Sequence, residues 1–277
     1  MIQPPRSPQL MQLVATLPRA LWSVERLSLG YRGPAVKVRR ADAVEQDCYS
    51  QADIKAFCTT QNGHCAVLYD QSGNGYHASF YSGAADYPKV YDGATQQLLK
   101  FGRTPLLNFT TTNKLYVNSG LGFPTGSPAL TSFQLTGAID EAGHGFAFGA
   151  GNTSNQQWTS SSYNAGPPRL YISFGGPFLR LTSVVAQATV PSAAVFLKAA
   201  GATMLQTRGR QNKQELVIHS SGDGPQQLAG GAHMINAHQT GFSVGSCTLA
   251  AMGHWNALLA GQDLDGLEQV LERMRIQ

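Results

Sequence analysis

Charge is scarce in this sequence: only 13% of its 277 residues are Asp, Glu, Lys or Arg, and from Ala142 to Gln214 there is no Asp or Glu at all. That balance excludes a disordered polyelectrolyte, which combines high net charge with little apolar content. Long apolar runs are missing too. No stretch approaches the ~20 residues of a membrane-crossing helix, so membrane insertion is not expected. The first 20 residues, with Pro4, Pro5, Pro8 and Pro18, lack the basic segment and apolar run of a secretory signal. The expectation is synthesis in a cytosol. Cysteine is limited to Cys48, Cys58, Cys65 and Cys247, with no CxxC pair, which removes the usual zinc frameworks. Cys58 and Cys65 flank the loop TTQNGH and would be bridged if it folds back as a hairpin, while cytosolic synthesis argues for thiols. His233 and His238 stand five apart in GGAHMINAHQ, the wrong spacing for one helical face, and no Asp-rich loop points to calcium. No metal and no cofactor are expected. A G-x-S-x-G elbow is also absent. The net charge of +4 has its densest piece at Lys37, Arg39 and Arg40, just after Arg32. No basic stripe with interleaved aromatics follows, so nucleic acid is not an expected partner.

What the chain has in quantity is turn formers, with 30 Gly and 14 Pro, and short apolar runs between them. Examples are PLLNF, KLYVN, ALTSFQLTGAI, GFAFGA, RLYISF, FLRLTSVV, SAAVFLKAA, QELVIHS and GFSVGS. Regular short strands separated by turn signals predict a sandwich or barrel. In AVKVRR the alternation places Lys37 and Arg39 on the solvent face of a strand. Gln51 to Phe57 is a short helix candidate, and CAVLY is a buried strand ended by the turn DQSGNG. Trp22 and Trp255, in apolar surroundings, read as core. Near the C-terminus Leu264, Leu267, Leu271 and Met274 share one helical face, and Asp265 with Glu268 reads as a capping box. The expected organisation is an extended N-terminal arm, residues 1–19, followed by one all-β sandwich domain, residues 20–277, closed by a short C-terminal helix.

One segment carries a family resemblance. Tyr31, Gly33 and Pro34 form an aromatic-x-Gly-Pro turn, Arg39 ends the next strand, and Cys58 and Cys65 flank a loop that leads into Tyr69, Asp70, Gln71, Ser72 and Gly73. Over residues 20–80 this pattern resembles the start of the arabinofuranosidase B-type catalytic domain, a glycoside hydrolase. The resemblance implies a concanavalin A-like jelly-roll β-sandwich. Similar segments occur in tail and fibre proteins of bacteriophages, which fits the expected lack of a secretory signal.

The chemistry of that family does not carry over. A retaining glycosidase needs two carboxyl groups about 5–5.5 Å apart. In the resembling family the nucleophilic glutamate lies on a central strand and the proton-donating aspartate follows a glycine-rich strand end. The counterparts here are RLYISFGGPFL, with Gly175 and Gly176, and GFSVGSCTLAAMGHW, with Ser246, Cys247 and Thr248. Neither holds a carboxylate, the family's pocket-shaping cysteine pair has no match, and no catalytic residue is assigned. The acids left in the body are Asp140, Glu141, Glu215 and Asp223. For binding, aromatic faces can stack on sugar rings. Trp158, Tyr163 and Tyr171, set among Asn and Gln side chains, are the candidates, against a reading as core aromatics. Asp70 either lies beside a sugar or fixes its turn. The expected function is a non-catalytic bacteriophage virion protein, of the tail, fibre or capsid exterior. It would be homo-oligomeric, contacting other virion subunits and a host cell-surface glycan. The alternatives are a divergent α-L-arabinofuranosidase-type hydrolase and an assembly module without a ligand.

Overall fold

The computed structural model describes residues 13–28, 30–80, 86–110, 112–117, 127–139, 144–150, 158–163, 169–174, 178–182, 191–221, 233–235 and 247–276. Between 138 and 182, at 218–221 and at 233–234, the description is of strand backbone alone. The chain runs through β1 (Ala20–Ser23), β2 (Val36–Arg40), β3 (Glu45–Cys48), α1 (Gln51–Cys58), β4 (Gly63–Leu68), β5 (Ala78–Phe80), β6 (Lys89–Asp92) and β7 (Gln97–Leu98). A small hairpin, β8 (Lys100–Phe101) and β9 (Thr104–Pro105), precedes β10 (Leu107–Phe109) and β11 (Leu115–Val117). Longer strands follow: β12 (Leu130–Ile139), β13 (His144–Ala150), β14 (Trp158–Tyr163), β15 (Arg169–Phe174), β16 (Phe178–Thr182) and β17 (Ser192–Lys198). The last are β18 (Arg208–Gln211), β19 (Gln214–Glu215), β20 (Ile218–Ser221), β21 (His233–Ile235) and β22 (Cys247–Trp255), and the chain closes with α2 (Gly261–Ile276).

The antiparallel pairings resolve into two layers. The open sheet runs β3-β2-β4-β5-β11-β21-β13-β14-β15-β16-β20. The covered sheet has β22 at its centre, with β12, β17, β18 and β19 on one side and β1 and β10 on the other. Strand β6 links the two, pairing with both β4 and β10. This is the expected all-β jelly-roll sandwich with a C-terminal helix.

Two apolar layers explain why the sequence reads as it does. Between the sheets lie Trp22, Val36, Val38, Leu115, Phe196, Ile235 and Met252; behind the covered sheet lie Leu21, Phe133, Val195, Leu197, Trp255 and α2's Leu267, Val270, Leu271 and Met274. All seven residues of β17 are buried because Ala194 and Phe196 enter the first layer while Ala193, Val195 and Leu197 enter the second. A strand covered on both faces needs a continuous apolar run, here SAAVFLK, and shows no polar alternation. In β2, Val36 and Val38 are buried while Lys37 and Arg39 are half-buried, the alternation of a strand with one wet face.

Helix α1 begins at Ser50, whose Oγ accepts from the Asp53 N–H at 3.3 Å, and it buries Ile54, Phe57 and Cys58. Helix α2 begins four residues earlier than the expected capping box. Asp263, in its first turn, accepts from the Ala15 and Thr16 N–H groups at 2.8 and 3.1 Å and from the Thr16 hydroxyl. Asp265 therefore sits inside the helix, and Glu268 is turned toward β18, paired with Arg210 at 2.6 Å. The same contacts dock residues 13–19 of the expected arm: Val14 is buried, Thr16 O accepts from Trp255 Nε1, and Arg19 N donates to His254 O. Neither helix is long and apolar enough to cross a membrane.

Candidate functional site

The turn YDQSGNG ends β4, and its polar side chains act on the chain around them. Asp70 is fully buried. Its Oδ1 accepts from the N–H groups of Leu21 and Ser72, both at 2.9 Å, and its Oδ2 accepts from Ser72 Oγ at 2.7 Å and Tyr76 N–H at 3.0 Å. A carboxylate that accepts several short bonds from N–H and O–H donors is strongly held in place. Gln71, also buried, takes the Leu27 N–H on its Oε1 and gives its Nε2 to Ser23 O and Glu25 O. Asn74 Nδ2 reaches Arg19 O at 2.9 Å. Gly73 and Gly75 adopt φ of +89° and +78°, a region open to glycine without steric cost. Together these groups staple β1 and the segment after it to the end of β4. Both oxygens of Asp70 are committed to that staple, and none of its surface reaches solvent.

The three aromatic candidates fall on adjacent strands of the open sheet, and register places them. One unbroken row of cross-strand partners crosses ten strands: Asp47, Lys37, Val67, Ser79, Tyr116, Met234, Gly149, Thr159, Ser173 and Phe178. Among these, Lys37, Val67, Ser79 and Tyr116 are half-buried, whereas their alternates Val36, Val38, Leu115 and Val117 are buried. The row therefore marks the outer face. By the two-residue period of a strand, Tyr163 and Tyr171 belong to this outer face. Trp158 belongs to the alternate set, in the row of Ala150 and His233 next to that of buried Ile235. So register gives Tyr163 and Tyr171 positions of one set and Trp158 a position of the alternate set.

Register adds two residues that sequence reading passed over. Arg169 pairs directly with Tyr163, and Arg180 with Tyr171. Ser161 and Ser220 extend the Tyr171 row, and Thr182 lies beyond Arg169. The spacing of Arg169 and Tyr171 in RLYISF already puts them on one face. The pairing of Tyr171 with Arg180 needs the register of β15 on β16, which the alternation within one strand does not give.

Strands β13, β14, β15, β16 and β20 hold no carboxylate. Among the described strands only β3, β6 and β19 carry any: Glu45, Asp47, Asp92 and Glu215. Each faces a donor. Glu45 meets Arg39 at 2.8 Å, Asp47 takes the Tyr69 hydroxyl at 2.7 Å, Asp92 meets Lys89 at 3.2 Å and Glu215 meets Arg208 at 2.6 Å. Where acidity is displaced, it moves down. Hydrogen bonds from Arg40, Arg208 and Arg275 hold Asp42, Glu215 and Glu272 below the usual carboxylate range, and the Thr16 hydroxyl does the same for Asp263. For Asp92 the Ala94 N–H leads and Lys89 adds to it. A general acid for glycoside cleavage needs the opposite shift. Of the acids left by sequence reading, Glu215 is thus an ion-paired surface group, while Asp140, Glu141 and Asp223 lie outside the described residues. Among the described residues no cluster of His, Cys, Asp and Glu is arranged to hold a metal. Cys58 and Cys65 are both buried thiols.

No protein-family model matches the chain, and no curated protein matches it by sequence. Solved structures do match it by shape. An arabinofuranosidase complexed with arabinofuranosyl-α-1,2-xylobiose superposes with a TM-score of 0.73 at 13% identity. A GH54 α-L-arabinofuranosidase soaked with a cyclic sulfate inhibitor gives 0.72 at 13% identity. Each match covers 96% of this chain and 64% of the other, so the chain spans a little under two thirds of those proteins. The fold is arabinofuranosidase-like.

Proposed function

We propose that this chain is a non-catalytic carbohydrate-binding sandwich, carried as a structural component of a bacteriophage particle in its tail, fibre or capsid exterior. The observation that carries the first half is a run of acid-free strands. From β10 to β18, and again from β20 to β22, no described strand holds an Asp or Glu, while glycosidase chemistry needs two. Support for binding comes from Tyr163 and Tyr171 on the outer face, where ring faces can cover the CH groups of a sugar among hydroxyl-bearing neighbours. The virion setting rests on the likeness of residues 20–80 to segments of phage tail and fibre proteins. Other virion subunits and further copies of this chain are its proposed partners.

Hydrolysis and binding assays separate this reading from a divergent arabinofuranosidase. Purified protein should leave an aryl α-L-arabinofuranoside intact and retain glycans on an array, with Tyr171→Ala weakening retention. Turnover abolished by Asp140→Asn, Glu141→Gln or Asp223→Asn would replace the proposal with the hydrolase reading. Comigration with phage particles tests the virion assignment separately.

A further inference from the structure

We propose that the outer face of β14, β15 and β16 recognises a glycan bearing carboxylates, such as a uronic acid or sialic acid residue, through Arg169 and Arg180. This rests on the glycan-binding reading above and narrows it to an anionic class.

The argument is a contrast along one continuous face. At its β2–β3 end each basic residue has an acid directly opposite: Lys37 pairs with Asp47 and Arg39 with Glu45, closing at 3.9 and 2.8 Å. Facing opposite charges across a strand pair is the ordinary way a sheet surface balances itself. At the β14–β16 end the positions opposite the arginines are tyrosines instead, Tyr163 for Arg169 and Tyr171 for Arg180. None of β13, β14, β15, β16 or β20 contains an acid. Two guanidinium-bearing residues therefore share a face with three aromatics, Tyr163, Tyr171 and Phe178, and with Ser161, Ser173, Thr182 and Ser220, and the strands themselves bring no anion.

The dimensions suit a sugar. Strands lie about 4.8 Å apart and residues i and i+2 about 7 Å apart. The staircase Tyr163, Arg169, Tyr171, Arg180 thus covers roughly 10 by 7 Å, the scale of one or two pyranose rings. Tyrosine offers a face for ring CH groups, and serine and threonine offer partners for hydroxyls. Arginine, with its planar fork, binds a carboxylate through two parallel hydrogen bonds where lysine offers a point charge. Neutral arabinose or xylose needs no such pair.

The test is an array carrying uronic, sialic and neutral glycans, followed by titration of the best acidic hit and its methyl ester. The expected result is acidic hits, at least ten-fold weaker binding of the methyl ester, and a similar loss in Arg169→Gln and Arg180→Gln. Arg180→Lys should fall between, and raised salt should weaken binding. Thermal melting of each variant confirms that the fold is retained, and Arg180→Lys keeps the test open should a glutamine variant fail to fold. Hits confined to neutral glycans, or acidic hits indifferent to both arginines, overturn the anionic assignment and leave the glycan-binding reading standing. No hit of either kind overturns both.

Discussion

The two sheets of this sandwich are both antiparallel, yet they differ in what lies behind them. The covered sheet has the open sheet on one side and α2 with Leu13, Val14 and Leu27 on the other, so both faces of β12, β17 and β22 are interior. The open sheet buries one face and leaves Lys37, Val67, Ser79 and Tyr116 half-exposed. The difference divides labour. Residues of the covered sheet are fixed by packing, while the outer row of the open sheet has freedom to vary and therefore to carry recognition. The sharpest test of that division is a large truncation in the covered sheet. Phe133 is buried, sits 5.9 Å from the Trp255 ring and lies close over Gly253. Phe133→Ala should cost about 3–5 kcal/mol in urea denaturation, and Gly253→Ala should also destabilise, because a Cβ there would lie 2.5 Å from the Phe133 ring. A cost under 1 kcal/mol for Phe133→Ala would break the comparison at its root.

Next in size is the staple that ties the covered sheet's edge strand β1 to the open sheet's β4. Asp70→Asn removes the charge and turns one acceptor into a donor facing N–H and O–H groups. Hydrogen bonds to a charged group contribute ~1.5–3 kcal/mol each, and the bonds of one carboxylate are not additive. A loss of about 2–3 kcal/mol is expected, with Ser72→Ala losing about 1 kcal/mol and the double variant less than the sum. Binding of the array ligand should survive in folded Asp70→Asn. Loss of binding at full stability would move Asp70 from the staple to the site.

Much of this was readable in advance, and for physical reasons. Strand alternation exposes itself in β2, amphipathic spacing exposes α2, and the glycine-rich turn after CAVLY exposes the end of β4. Gln71's reach to Ser23, Glu25 and Leu27 was hidden because its partners lie 44 to 48 residues away. The start of α2 was misread for a similar reason. Asp263 in its first turn is held by the N–H groups of Ala15 and Thr16, which lie 248 and 247 residues away along the chain. The division of Trp158 from Tyr163 needed only the two-residue period, given that both lie in one strand. Arg180's place opposite Tyr171 needed the pairing of two strands, which depends on the connection between them and not on the alternation within either one.

A smaller effect follows from the titration of buried groups. Burial raises the Cys48 thiol to about 12 and the Cys58 thiol to about 11, and pushes Cys65 up further. Each stays protonated in the folded chain while the unfolded thiol ionises near 8.5. Their stabilisation is therefore complete below about pH 8.5 and is lost as pH rises toward the folded values, by roughly 1 kcal/mol per thiol between pH 8 and 9.5. Lys198 works in the opposite sense. Burial lowers it to about 8, so above that pH the folded chain sheds a proton that the unfolded chain keeps, and stability rises. Wild-type stability should fall modestly from pH 8 to 9.5, and Lys198→Met should fall more steeply. The same thiols should react with an alkylating reagent only at the rate of unfolding. A flat profile in the lysine variant would mean that the thiols are not held protonated.

The smallest expected effect is the one that most directly concerns recognition. On the outer face Arg39 and Glu45 are each about one third exposed, and exposed pairs contribute ~0–1 kcal/mol. Glu45→Gln should shift stability by less than about 0.5 kcal/mol, and the shift should vanish in high salt. If this charge-matched end is energetically nearly silent, the β14–β16 end of the same face gains nothing in stability from leaving its arginines opposite tyrosines. The departure from acid–base matching then requires another cause, and a bound anion supplies one. Should Glu45→Gln instead cost 2 kcal/mol or more, outer-face pairs would be part of the fold's stability, and the arginines of β15 and β16 would be explained as structural partners of their tyrosines.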